Sequence, residues 1–333
     1  MKAFSILASV SFCLHMVNCI DPALDSEWEA WQEEFGNPTR EAHPLQRREI
    51  WEQNYRAIED HNSRYAEGQE AYEMAMNQFG DLTAEEFVGR KDAPLATSTR
   101  HVDLMLSATE LRQAASRLNL TSIDYRASGY VTPVEDQGIC GSCWAYSATG
   151  ALEAQWKKKT GHLIPLSKQQ LIDCTAGIKG CTGGWASLAY DYIIHNEGIQ
   201  AEATYPYVMR EQPCAADKTK VAATIGSWKF LPIGSEQALE DALVTIGPVA
   251  ISIDTTRPSF QFYRRGIYYD PECSVWKQTH AMLLTGFGTE GSEQYWTIRN
   301  SWGPWWGEDG YVRLAKNRNR HCGISQYGVL PFV

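Results

Sequence analysis

The chain has 333 residues, 44% hydrophobic and 21% charged, with a formal net charge of −10 at pH 7. A chain of this length buries more than one core and divides into more than one unit. The acidic balance argues against a nucleic-acid or anionic-membrane surface, and no basic run exceeds Lys157 to Lys159.

Lys2 precedes an apolar run from Ala3 to Val17 that His15 interrupts. The run is shorter than the roughly 20 residues of a membrane span and reads as a signal peptide over 1–19, cut after Cys19. No other stretch is long and apolar enough to cross a bilayer. The chain is therefore expected to pass through an oxidising lumen where disulfides form.

From Asp21 to about Gly89 the texture is helical, rich in Glu, Gln, Arg and Trp. Arg47, Trp51, Asn54, Ile58 and Asn62 recur at spacings that place them on one helix face. That mixture is not a simple core stripe; chance polar residues on an ordinary amphipathic helix are the alternative. Lys91 to Leu118 has weaker periodicity and reads as an extended connector with at most a short helix. After Asn119 the chain turns rich in Gly, Tyr, Trp and Cys.

Gly138 to Ala145, GICGSCWA, sets Cys143 between a tight glycine turn and a helix expected over Trp144 to Lys159, which ends at Gly161 after three lysines. In the first turn, free amides and the positive end of the helix dipole favour thiolate over thiol, the form that attacks a carbonyl carbon. Cys140 and Cys143 also form a C-x-x-C that suits a thioredoxin-like redox pair or half of a zinc site. No second C-x-x-C and no H-x-x-x-H follows, so four zinc ligands are hard to assemble. Nine cysteines less Cys13 and Cys19 of the leader leave an odd seven. Three disulfides would leave one free thiol.

A nucleophilic cysteine needs a base, and His280 is the best candidate. It opens the apolar run AMLLTGF, and a second strand, QYWTIR, follows the turn GTEGSE. A hairpin turning about residues 290 and 291 sets His280 opposite residue 300 or 301, beside Asn300. The amide can hold one imidazole nitrogen while the other faces the thiol.

Gln137 to Ser147 (QGICGSCWAYS), with His280 and Asn300 lying 137 and 157 residues beyond Cys143, resembles the nucleophile segment of papain-family cysteine protease precursors, close to the cathepsin L group. The blocks TPVEDQG, LSKQQLIDC, GCTGG, GPVAISI, FYRRGIYY, NSWGPWWGEDGY and HCGIS follow in the family's order. The resemblance implies an α+β, papain-like two-lobe fold, a helical lobe plus an antiparallel β barrel-like lobe, preceded by a helical propeptide. Residues 20–118 would be the inhibitory propeptide and 119–333 the mature peptidase. By the same resemblance, the Arg47 to Asn62 face and AMNQFGD (Asn77, Phe79, Asp81) match the two propeptide motifs, with Trp51 in place of phenylalanine and His43 in place of glutamate.

The roles implied are as follows. Cys143 attacks the peptide carbonyl, His280 protonates the leaving amine and then activates water, and Asn300 orients His280. Gln137 and the backbone NH of Cys143 stabilise the oxyanion, and Trp302 covers the His280 and Asn300 pair. Substrate would lie along Gly183 and Gly184. A pocket lined by Trp185, Ala186, Ser252, Gln278 and Ala281 and closed by Tyr327 would prefer medium-sized apolar side chains. Implied disulfides are Cys140–Cys181, Cys174–Cys214 and Cys273–Cys322, leaving Cys143 free. Thr279, Tyr125, Tyr146 and Thr182 depart from the family pattern, and a hydroxyl at Thr279 cannot stabilise the imidazolium as a carboxylate would. The partners implied are protein and peptide substrates, the propeptide as inhibitor and cystatin-like inhibitors, with a monomeric state, no cofactor, no metal, and a lysosomal or secreted location. Asn119 begins the single N-glycosylation sequon.

Overall fold

The N-terminal third forms the helices that its composition predicts. The structure, a computed structural model, describes residues 20–36, 44–91, 104–118, 120–178 and 180–333. The leader at 1–19, His43 and the sequon residue Asn119 lie outside the described residues. Helix α1 (Asp25–Phe35) is followed by the long α2 (Pro44–Ala66), strand β1 (Tyr72–Met74), α3 (Ala84–Lys91) and α4 (Ala108–Ser116).

The mixed face of α2 is a hydrogen-bonding comb for residues 72–86. Arg47 donates two parallel hydrogen bonds to the Glu86 carboxylate and one to Asp81 O. Asn54 Nδ2 donates to Gly80 O and Leu82 O, and Asn62 exchanges bonds with both backbone groups of Met74. Trp51 and Ile58 fill the apolar gaps between them and are buried. Each amide thus satisfies backbone groups that a short strand and a tight turn leave unpaired.

The rest of the chain gives β2 (Ile123–Asp124), α5 (Cys143–Thr160), α6 (Lys168–Cys174), α7 (Ala186–His195), β3 (Ile199–Gln200), β4 (Val221–Ala223) and β5 (Ser227–Phe230). It continues with α8 (Glu236–Thr245), β6 (Val249–Ile253), α9 (Pro258–Gln261), β7 (Tyr263–Tyr268), β8 (His280–Glu290), β9 (Glu293–Arg299), β10 (Tyr311–Ala315) and β11 (Gly328–Phe332). One buried cluster is built on α5, α6 and α7 around Trp144, Leu152, Leu171 and Tyr190. The other lies on the sheet around Trp296, Trp302, Trp306 and Val312. These are the two lobes.

The second lobe is built on one sheet. Its strands run β1-β7-β10-β9-β8-β6-β11-β5, with β2 paired to β8, and it is open rather than closed into a barrel. One pair, β10 with β7, is parallel; the outer places go to β5 and to β1, the strand of the N-terminal unit. Among the described residues no helix is long and apolar enough to cross a membrane.

Candidate active site

Helix α5 starts at Cys143 and ends at the left-handed Gly161 with Lys157, Lys158 and Lys159 in its last turn, so the dipole runs as the sequence predicts. Cys143 is buried and is the one cysteine outside a disulfide among the described residues; the bonded pairs are Cys140–Cys181, Cys174–Cys214 and Cys273–Cys322. The disulfide at Cys140 excludes a redox or zinc use of the C-x-x-C. Ser147 Oγ donates to Met282 O at 2.7 Å, tying the helix to β8 two residues past His280. Gly150 lets β8 come close: a Cβ there would stand 2.8 Å from Leu283 Cδ2 and 2.4 Å from Arg299 Nη2.

The hairpin forms, but its register differs from the expected one. Gly291 and Ser292 make the turn, and a bulge between Leu284 and Gly286 shifts the ladder so that Leu283 faces Arg299. Continued, that ladder would bring His280 level with Trp302 rather than Asn300. The Trp302 ring does lie 4.6 Å from the imidazole, tilted by 31°. Asn300 reaches His280 from where its chain leaves the sheet: His280 Nε2 and Asn300 Oδ1 are 2.8 Å apart. Ser301 N donates to the same Oδ1 at 2.8 Å. That atom is therefore an acceptor, so Nε2 carries the proton and Nδ1 is the nitrogen able to exchange one.

Gln137 is fully buried and fixed on both sides of its amide. Ser301 Oγ donates to Oε1 at 2.7 Å, while Nε2 donates to Cys140 O at 2.9 Å. Gln137 N also donates to Ser301 O, so the glutamine and the Asn300-Ser301-Trp302 strip form one framework. Trp302 is enclosed by edge-on Phe260, Trp306, Phe79 and Phe87, the last two from the N-terminal unit. Gln78 Nε2 donates to Trp302 O at 2.6 Å, so the unit sits directly on the site.

Gly183 has φ +112°, a conformation that favours glycine, and a Cβ at Gly184 would meet the Trp144 ring at 2.7 Å. Trp185 and Tyr327 have ring centroids 4.6 Å apart, and Trp185, Ala186, Ala281 and Tyr327 belong to one buried cluster. Ser252 Oγ donates to His280 O, and Gln278 Nε2 donates to Lys277 O and Gly323 O, so these donors are turned to backbone. Thr279 Oγ1 accepts from Thr255 N at 2.9 Å.

Four residues escaped the sequence reading. Ser301 clamps Gln137, and only its place beside Asn300 signals that. Tyr207 OH donates to Gln137 O and takes a bond from Ser142 Oγ, each 2.7 Å, so Tyr207, far along the chain, holds the loop before Cys143 through Gln137 and Ser142. Burial pushes the Tyr207 hydroxyl up to about 12, which keeps it a donor throughout the working range. Lys168 is buried between Glu135 at 2.6 Å and Glu202 at 3.2 Å, and Glu202 accepts from Tyr207 N.

Residues 120–332 match the papain family cysteine protease domain, and residues 28–87 match the cathepsin propeptide inhibitor domain. The chain is 42% identical to cathepsin K of Mus musculus, covering 98% of each chain. It is 42% identical to digestive cysteine proteinase 2 of Homarus americanus, over 93% of this chain and 96% of that one. Its structure resembles that of the digestive procathepsin L2 proteinase from Tenebrio molitor larval midgut with a TM-score of 0.85 and 36% identity, covering 92% of this chain and 99% of that one. The chain belongs to the papain family of cysteine proteases. It is a cysteine endopeptidase made as a precursor that carries its own inhibitor domain.

Proposed function

We propose that peptide bonds are cut at Cys143, with His280, Asn300 and Gln137 in the roles described here. The bond from His280 Nε2 to Asn300 Oδ1 carries the reading, because it fixes the tautomer and leaves Nδ1 for the thiol. The thiolate adds to the carbonyl carbon, His280 passes a proton to the departing amine, and water then hydrolyses the thioester. The Gln137 side-chain amide and the Cys143 NH receive the oxyanion; loss of one such donor typically costs about 3 to 4 kcal/mol. An epoxide that alkylates active thiolates should titrate one site per activated enzyme, at Cys143. Full activity after stoichiometric alkylation elsewhere would refute the assignment.

The leader is read as 1–19, the propeptide as 20–118 and the peptidase as 119–333, with the protein working as a monomer in a lysosomal or secreted setting and open to cystatin-like inhibitors. The precursor is latent at neutral pH and matures near pH 4 to 5, roughly where carboxylates protonate. A precursor as active as the truncated form at pH 7 would contradict this. Trp185 and Tyr327 offer apolar faces and no carboxylate, so the residue one removed from the scissile bond on its N-terminal side should be Leu or Val rather than Arg. Kinetics on a dipeptide series decide it: arginine preferred over leucine removes the pocket assignment.

A further inference from the structure

The inhibitor domain match ends at residue 87 and the peptidase match begins at 120, so α4 belongs to neither. It is nonetheless a bound element. Leu106 N donates to Phe230 O at 2.8 Å and Met105 bridges Phe230 in parallel, which extends the sheet past β5, its outermost strand. Ser107 then caps α4 by accepting from Glu110 N. Leu111 and Ala115, one turn apart on one face, are buried; Leu111 shares a cluster with Ala238, Leu239, Ala242 and Leu243 of α8. Arg112 Nη1 meets Asp241 Oδ1 at 3.1 Å, and that carboxylate is itself almost wholly buried.

The precursor segment therefore grips the sheet at both ends. Residues 72–79 hold the end formed by β7, through β1 and the Asn77 and Gln78 bonds to Gln261 O and Trp302 O. Residues 105–115 hold the opposite end, at β5 and α8. A cut upstream of residue 104 releases the first grip without touching the second. Such a cut is ordinary hydrolysis by the enzyme's own activity: water adds across one peptide bond, leaving a carboxylate upstream and an amine downstream.

We propose that residues 104–118 form a helical strap that stays on the peptidase after the inhibitory helices leave, with the α8 face around Asp241 as its docking surface. The inference rests on reading the chain as a precursor whose inhibitory helices are removed on activation. The face takes a short amphipathic helix with an apolar pair four residues apart and an arginine directly after the first of them. The strap also backs the substrate pocket, because Leu104 and Met105 pack on the cluster that holds Phe230, Trp185 and Tyr327.

The test is to activate the full-length precursor in acid, isolate the active form by native size exclusion, and read it by intact mass and N-terminal sequencing. The expected product carries residues 104–118, either as its own N-terminus or as a co-eluting peptide. Leu111→Asp, which sets a charge on the buried face, should reduce the retained strap by about tenfold or more. Arg112→Glu, changed at a side chain more than half exposed, should act in the same direction if Leu111→Asp fails to fold. An active wild-type form that begins at 117–122 with no bound peptide overturns the strap while leaving the precursor reading intact. Retention equal to wild type in the variants overturns the docking face.

Discussion

The inhibitory helices and the peptidase body are held together by different physics. In the helical unit, α2 faces its partner segment with Arg47, Asn54 and Asn62, and the contacts are side chain to backbone or ion pairs such as Arg47–Glu86. The body has three disulfides and two large apolar clusters, one of which also takes in Ile58, Phe79, Leu82 and Phe87 of the unit. The sequence has no cysteine between residues 20 and 118, so no crosslink can tie the unit to the body. The part that must leave is held without a crosslink, by these bonds together with the packing of Ile58, Tyr72, Met74, Phe79, Leu82 and Phe87 into the sheet's apolar cluster. The part that must persist in the presence of a protease is held by burial and covalent closure.

The largest test of this contrast is Cys143→Ser. Proteolysis should fall by roughly four orders of magnitude or more, since a serine there has neither the thiol's acidity nor its nucleophilicity. The precursor should then remain full length in acid, giving a stable background in which the two regions can be melted without self-digestion. Peptide hydrolysis above a percent of wild type would refute the nucleophile. In that background, replacing Cys174 and Cys214 together by Ser should cost about 2 to 5 kcal/mol by denaturant titration of the body. The unit's own unfolding should not move with it.

Asn54→Ala, on the other side of the comparison, removes the donor to Gly80 O and Leu82 O, and such losses typically cost about 1 to 3 kcal/mol. The effect should be confined to the unit: the precursor leaks activity at pH 7 while the activated enzyme keeps the wild-type kcat/KM. Equal latency in Asn54→Ala and wild type would show that the comb is ornamental to inhibition.

The legible and illegible parts of the chain separate along the same physical line. Helix α5, the His280 hairpin and the odd face of α2 were readable because periodicity and turn residues are local. The partner of that face was not, because a donor on a helix does not name its carbonyl. The bulge before Gly286 left no signal either: Thr285 Oγ1 bonds Thr297 O, a contact that exists only once both strands are placed. The barrel-like lobe came from the resemblance and not from strand patterning, because alternation specifies faces and not closure; the parallel pairing of β10 with β7 is a long-range outcome. Tyr207 and Lys168 support the loop around Gln137 from far away in the chain, where neither type nor spacing marks them.

The smallest predicted effect asks whether the body has any acid-sensitive element of its own. His321 is buried beside Cys322, and its Nε2 lies 3.0 Å from both the amide nitrogen and the carbonyl oxygen of Asp270. Burial lowers its affinity for protons, against a weaker opposing pull from Asp270 and Glu236. The folded state thus binds the proton less readily than the unfolded chain, whose histidine titrates near about 6.5. The stability from this neutral site is fully present above that value. It declines as pH falls from about 6.5 towards the lower folded value, because the unfolded state gains protons first. Glutamine at this position can accept from Asp270 N through its side-chain oxygen and does not titrate. In the Cys143→Ser background, His321→Gln should therefore flatten the body's stability curve between about pH 6.5 and 5 while leaving its value at pH 8 within about 1 kcal/mol of the parent. Parallel curves for the two proteins across that window would mean that His321 binds protons equally well in the folded and unfolded chain, and would leave the helical unit as the acid-sensitive half.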